Sequence, residues 1–129
     1  LIYLDSSALL RLIFLEDESA SLQQWLEARP HESKVTSVLS RVEVLRVCAR
    51  ESQTATALAK ILLAGIDTIE ISDVVIELAS DVRATRSFDA IHLVSALSIQ
   101  EELSAVVAYD RRLLEACAQY QLNTVSPGR

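Results

Sequence analysis

The chain has 129 residues, half of them hydrophobic and 23% charged, which suits one domain with a real core and not a disordered segment. Its two glycines, Gly65 and Gly128, lie far apart, which excludes the closely spaced glycines of a Walker loop or a dinucleotide fingerprint and disfavours a turn-rich all-β barrel. The net charge of −6 excludes holding nucleic acid by bulk charge alone, so any such role needs local basic patches, bound cations or a second chain.

Leu1–Asp5 is predicted as a strand, followed by helices over Ser6–Leu15 and Ser19–Arg29, the latter with Leu22, Trp25 and Leu26 on one face. Pro30–Ser33 breaks the pattern before a short strand, Lys34–Ser37. Val38–Glu51 is helical, with Val38, Val42, Leu45 and Ala49 at spacings of four and three. A second helix, Ser52–Ala64, ends at Gly65, the residue type favoured just past a helix. Ile66–Ile71 alternates as a strand does. Ser72 caps a helix running to about Ala84, and Ser87 caps another from Phe88 to about Glu101. Ser104–Tyr109 is an apolar strand, Arg111–Tyr120 the last helix and Leu122–Val125 the last strand.

Strands separated by helices pair in parallel through crossovers, which places helices on both faces of the sheet. The expected fold is therefore a single α/β domain over residues 1–129, three-layer α/β/α, with a parallel, about five-stranded sheet. In such folds ligands sit at the carboxyl ends of the strands, where strand order reverses. Cys48 and Cys117 have no second Cys or His at metal-ligand spacing and read as reduced core thiols. No apolar run approaches the roughly 18 residues of a membrane span, and no signal-peptide pattern is seen, so a cytoplasmic location is expected. The absence of Met sets the expectation that residues precede Leu1.

Four acidic residues stand out by position. Asp5 and Asp110 follow apolar strands directly; each suits either an N-cap of the next helix or a carboxylate at a strand-end site. Glu43 lies on a largely apolar helix stripe near Leu39 and Val47, either as a salt-bridge partner of Arg46 or as a carboxylate serving a site. Asp89 sits in a first helical turn, where it either favours the helix dipole or joins the other three; His92, one turn on, is within reach of it and is either structural or catalytic. Four carboxylates converging on one rim would repel unless a cation joined them. Hard oxygen donors without Cys/His clusters suit Mg²⁺ or Mn²⁺, and that set suits metal-assisted phosphodiester hydrolysis.

Tyr3-Leu4-Asp5-Ser6-Ser7-Ala8-Leu9, Val42-Glu43-Val44-Leu45-Arg46, Ser87-Phe88-Asp89-Ala90-Ile91-His92-Leu93 and Ala108-Tyr109-Asp110-Arg111-Arg112-Leu113 resemble, in order and spacing, the four motifs of PIN-domain ribonucleases, more narrowly of VapC-type toxins of toxin–antitoxin pairs. The resemblance covers nearly the whole chain. It implies a parallel five-stranded sheet between helices. It also implies an RNA-cleaving site in which Asp5, Glu43, Asp89 and Asp110 hold one or two Mg²⁺ or Mn²⁺ ions. The family's hydroxyl position falls on Ser6, a candidate substrate contact or support of the metal ligands. Many relatives carry Thr two residues before the fourth acid, where this chain has Ala108.

The activity expected is that of a metal-dependent endoribonuclease: water attacks the phosphodiester in line and leaves a 5′-phosphate. Arg46, Arg83, Arg86, Arg111 and Arg112 lie near the acidic segments; Arg46, Arg86 and Arg111 join Ser6 as candidate substrate contacts, the alternative being solvated helix faces. The partners expected are RNA, a cognate antitoxin and a second copy in a homodimer, with no membrane. Leu9, Leu10, Ile13, Phe14, Trp25, Ile61 and Leu62 exceed what a lone core needs, and about half of them are expected to line a groove for an amphipathic antitoxin segment. By the resemblance, an antitoxin arginine would reach the carboxylates. The competing readings are a PIN domain in RNA processing without an antitoxin, and a receiver-like phosphoacceptor module. The latter wants an acidic pair after the first strand and a Lys after the last, whereas Asp5 is followed by Ser6 and the only lysines are Lys34 and Lys60.

Overall fold

A computed structural model describes every residue except Ala84. In chain order the elements are β1 (Ile2–Leu4), α1 (Ser6–Ile13), α2 (Ser19–Glu27), β2 (Lys34–Ser37), α3 (Val38–Glu51), α4 (Gln53–Ala64), β3 (Asp67–Ile69), α5 (Asp73–Asp81), α6 (Ser87–Leu97), β4 (Ala105–Val107), α7 (Arg111–Gln119) and β5 (Thr124–Val125). The strands form one parallel sheet in the order β3-β2-β1-β4-β5. The chain builds outward from β1 through β2 to β3, then crosses back to place β4 on the other side. The switch point therefore lies between β1 and β4.

Strand alternation divides the core. Ile2 and Leu4 pack with Leu9, Leu22, Val44, Cys48 and Leu63 from α1 to α4. Tyr3, between them, points to the other face and packs with Leu93, Leu113 and Cys117 from α6 and α7. Both cysteines are buried and free, as their helical placement suggested; burial pushes the Cys117 thiol up to about 12, with Asp5 and Asp89 adding to the rise. No helix among the described residues is long and apolar enough to cross a membrane.

Several element ends differ from the pattern-based expectation, each for a local reason. Helix α1 stops at Ile13, not Leu15, because the Ser19 hydroxyl stands 2.7 Å from the Arg11 carbonyl and 3.1 Å from that of Phe14. Helix α2 ends at Glu27 rather than Arg29, whose guanidinium turns back to the Trp25 carbonyl at 2.9 Å. Helix α5 ends at Asp81, with Val82 extended; the expected end at Ala84 lies outside the described residues. Ser87 is the first residue of α6 and not its cap; Arg86 is the N-cap, without a side-chain capping bond. The α6 helix ends at Leu97, and the turn to Glu102 continues with tighter three-residue bonds such as Ile99 N–H to Ala96 O. Strand β4 stops at Val107 because the Tyr109 N–H leaves the ladder for Ser7 Oγ at 2.9 Å. The edge strand β3, paired on one side only, shrinks to Asp67–Ile69. Gly65 closes α4 with φ −93°, so it needs no left-handed conformation.

Of the seven residues divided between core and groove, Leu9 is fully buried, while Leu10, Ile13, Phe14, Trp25 and Leu62 are partly buried against the core. Ile61, 73% exposed, is the one that stands on the surface. After β5 the chain returns to the end of β4. Tyr109 donates its hydroxyl to the Pro127 carbonyl at 2.8 Å, Arg129 Nη1 donates to the Tyr109 carbonyl at 3.1 Å, and Arg11 and Arg129 lie over the Tyr109 ring. Glu18, buried beside them, accepts from both arginines, which hold its carboxyl below the usual range. This clamp sets the backbone just before Asp110. Gly128 closes it at φ +93°, where a Cβ would stand 3.1–3.2 Å from Glu18 and Ser21.

Candidate active site

All four carboxylates sit at the carboxyl edge of the sheet. Asp5 directly follows β1 and Asp110 lies just beyond β4, on the two sides of the switch point; Glu43 comes from α3 and Asp89 from α6. Glu43, Asp89 and Asp110 line one open cleft of about 390 Å³ together with Arg86, Ser87, Phe88 and Arg112. Asp5 lies deeper and is 3% exposed.

For the strand-end acids the two readings from sequence are not exclusive. Asp5 Oδ1 caps α1, accepting the Ala8 N–H at 2.9 Å, and also accepts the Ser7 hydroxyl at 2.6 Å. Asp110 Oδ1 caps α7, accepting the N–H groups of Arg112 and Leu113 at 2.8 and 3.2 Å. Glu43 behaves alike: its Oε1 accepts the Ser6 hydroxyl at 2.7 Å and faces His92 Nε2 at 3.0 Å. In each of the three, every hydrogen bond among the described residues falls on one oxygen, and the second oxygen keeps its lone pairs. Among the described residues Asp89 accepts a single, long hydrogen bond, from Thr85 Oγ1 at 3.4 Å.

The carboxylates also feel one another. Burial pushes Asp5 up to about 6, against the Ser7 bond and His92, and the charge of Asp110 adds to the rise. Asp89 is raised by burial and then by Asp110, while His92, Thr85 and Arg112 pull it back. For Glu43, burial pushes up, but the bonds from His92 and Ser6 outweigh it and its carboxyl lies below the ordinary value. Oxygen-only donors fit a hard divalent cation. Among the described residues no three acidic, His or Cys side chains close into a metal cage.

The Ser6 hydroxyl, the candidate substrate contact or ligand support, donates to Glu43 Oε1 at 2.7 Å. The Glu43 partner is His92 and not Arg46, which is exposed on α3 and does not line the cleft. His92 reaches Glu43 and not Asp89, its sequence neighbour. Arg86 lines the cleft. Arg111 forms an exposed pair with Glu115 at 2.8 Å and lines a second open pocket beside Asp110, while the adjacent Arg112 lines both that pocket and the cleft. Sequence reasoning did not place Tyr3, whose hydroxyl lies 2.7 Å from His92 Nδ1, or Ser7 in the site. Contacts over 89 residues leave no trace in local pattern.

A family model described as "PIN domain" matches residues 2–119. The chain is 44% identical over 133 aligned positions to Ribonuclease VapC47 of Mycobacterium tuberculosis, covering 99% of this chain and 98% of that one. It is 38% identical to Ribonuclease VapC35 of the same species, with 100% and 98% covered. A solved toxin–antitoxin complex from Klebsiella pneumoniae contains a chain that superposes with TM-score 0.76 at 19% identity, covering 98% of both chains, and so shares this fold.

Proposed function

The chain belongs to the PIN-domain family, and from that premise we propose that it is a divalent-cation-dependent endoribonuclease, the toxin of a toxin–antitoxin pair. The observation that carries this reading is the arrangement of Asp5, Glu43 and Asp110. Each commits one carboxylate oxygen to protein donors and keeps the other, at the switch point of a parallel sheet beside Asp89. The 44% identity to a relative named as a ribonuclease supports it along the full chain.

In this reading Asp5, Glu43, Asp89 and Asp110 hold Mg²⁺ or Mn²⁺, with Ser6 fixing Glu43 and Ser7 fixing Asp5. A bound cation supplies a water of lowered pKa and offsets charge on the phosphate oxygens. Arg86 and Arg112, at the rim of the cleft, take the phosphates flanking the cut and place the scissile bond against the carboxylates. Their two positive charges answer the acidic total of the chain locally, where the backbone of RNA enters.

The partners in this reading are RNA, an antitoxin encoded beside the chain and a second copy in a homodimer, all in the cytoplasm. Exposed Leu58 and Ile61 on α4 offer an apolar surface for a partner helix. Incubation with total RNA in Mg²⁺, Mn²⁺ or EDTA, followed by mapping of the cut ends, tests the activity. Cation-dependent cuts bearing 5′-phosphates support it, and cuts that persist in EDTA or carry 2′,3′-cyclic phosphates refute it. Co-expression with the genomic neighbour then separates toxin from RNA-processing nuclease, since a toxin is silenced by that neighbour.

A further inference from the structure

We propose that His92 is a positioning residue for the acidic cleft, locked in its ring orientation by Tyr3 and holding Glu43 by one oxygen so that the other is presented to the cation. This rests on the reading of the cleft as a cation-dependent nuclease site, and it adds to that site a part supplied by the opposite face of the sheet.

Glu43 Oε1, in its carboxylate form, only accepts; His92 Nε2 at 3.0 Å must therefore carry the hydrogen. In the neutral ring that choice leaves a lone pair on Nδ1, the atom that Tyr3 Oη approaches at 2.7 Å. The Tyr3 side chain is fully buried, and its phenol hydroxyl is the group that can donate to that lone pair, so Tyr3 is the donor of that bond. The ring planes of Tyr3 and His92 cross at 79°, an edge-on packing that leaves the imidazole no second orientation with both bonds made. The chain of bonds thus runs from β1 through α6 to α3. Ser6 donates to the same Glu43 oxygen from α1. Two donors on Oε1 offset the cost of burying Glu43, and they keep it in the cleft before any cation arrives. The same logic governs metal-ligand supports in general, whose loss weakens metal affinity by about 10- to 100-fold.

The test is Mn²⁺ affinity, measured by titration with detection of free Mn²⁺, on folded wild type and on His92→Ala, His92→Asn and His92→Gln. The amide nitrogen of Gln falls where Nε2 stood and can still donate to Glu43; that of Asn falls where Nδ1 stood and cannot. The expected result is about a tenfold or greater loss of affinity for Ala and Asn, with Gln within about threefold of wild type. Affinities within threefold of wild type for all three variants would overturn the proposal, and so would an equal loss in Asn and Gln. Tyr3→Phe, which keeps the ring in the core, covers the case in which His92→Asn does not fold. A loss of threefold or more in that variant supports the lock, and unchanged affinity overturns it. Wild type that binds no Mn²⁺ at all would instead refute the reading of the cleft itself.

Discussion

Ser7 joins Asp5 to the end of β4: its hydroxyl donates to Asp5 Oδ1 at 2.6 Å while accepting the Tyr109 N–H at 2.9 Å. The first carboxylate is thereby held against the backbone that leads into Asp110, and the two strand-end acids keep their spacing without a direct bond. Even so, burial outweighs the Ser7 bond, and Asp5 stands at about 6 against an ordinary 3.8.

That shift has a sign in stability. The folded state favours protonated Asp5, so its contribution is full below about pH 4 and is lost as pH rises through about 6. The loss is of order 3 kcal/mol. Urea melts of metal-free wild type and Asp5→Asn between pH 4 and 7.5 check this. The variant should gain on wild type as pH rises, and parallel pH profiles would contradict the shift.

Cation binding should reverse the penalty. At Mn²⁺ a hundredfold above its dissociation constant, wild type should be stabilised by about 2.7 kcal/mol. Asp5→Asn should gain far less. An equal rise in melting temperature for both proteins would place the cation elsewhere.

Arg111 and Arg112 should differ in effect. Arg112→Ala should weaken RNA binding and flatten its dependence on log salt by about one unit of slope. Arg111, engaged with Glu115 on the exposed side of α7, should change neither when replaced by Ala. A binding assay over a salt series decides, and equal effects would remove Arg112 from its assigned role.

The two glycines should also part ways. Gly65 has φ −93°, and a Cβ there would meet only the Leu62 carbonyl oxygen at 3.7 Å, an ordinary contact, so Gly65→Ala should stabilise the fold by about 0.4–1 kcal/mol. Gly128, at φ +93° against Glu18, should destabilise the clamp before Asp110 by about 1 kcal/mol or more when replaced by Ala. Thermal melts of the two variants give the signs.

The element order and the sheet were legible because apolar runs and helical stripes alternate cleanly from Leu1 to Val125. Asp5 and Asp110 were legible because a carboxylate directly after a buried strand stands where α/β sites form. What local pattern cannot carry is direction. Neighbours in a first helical turn point about 100° apart, so nothing in Arg111-Arg112 told which arginine faces the cleft. The partner of Glu43 was equally hidden: Arg46, one turn away, was the near choice, whereas His92 comes from 49 residues on. Helix ends were missed where a remote side chain, such as Ser19 at the end of α1, took the free carbonyls.

If these carboxylates form one cation-dependent RNA-cleaving site, the cleavage rate of Asp89→Asn in Mn²⁺ tests it most directly. Among the described residues Asp89 accepts only the 3.4 Å hydrogen bond from Thr85, and its charge is disfavoured by burial and by Asp110. Replacing it with Asn should therefore leave the metal-free fold at least as stable as wild type while slowing RNA cleavage about 100-fold or more. A folded Asp89→Asn protein that cuts RNA at the wild-type rate would contradict the account.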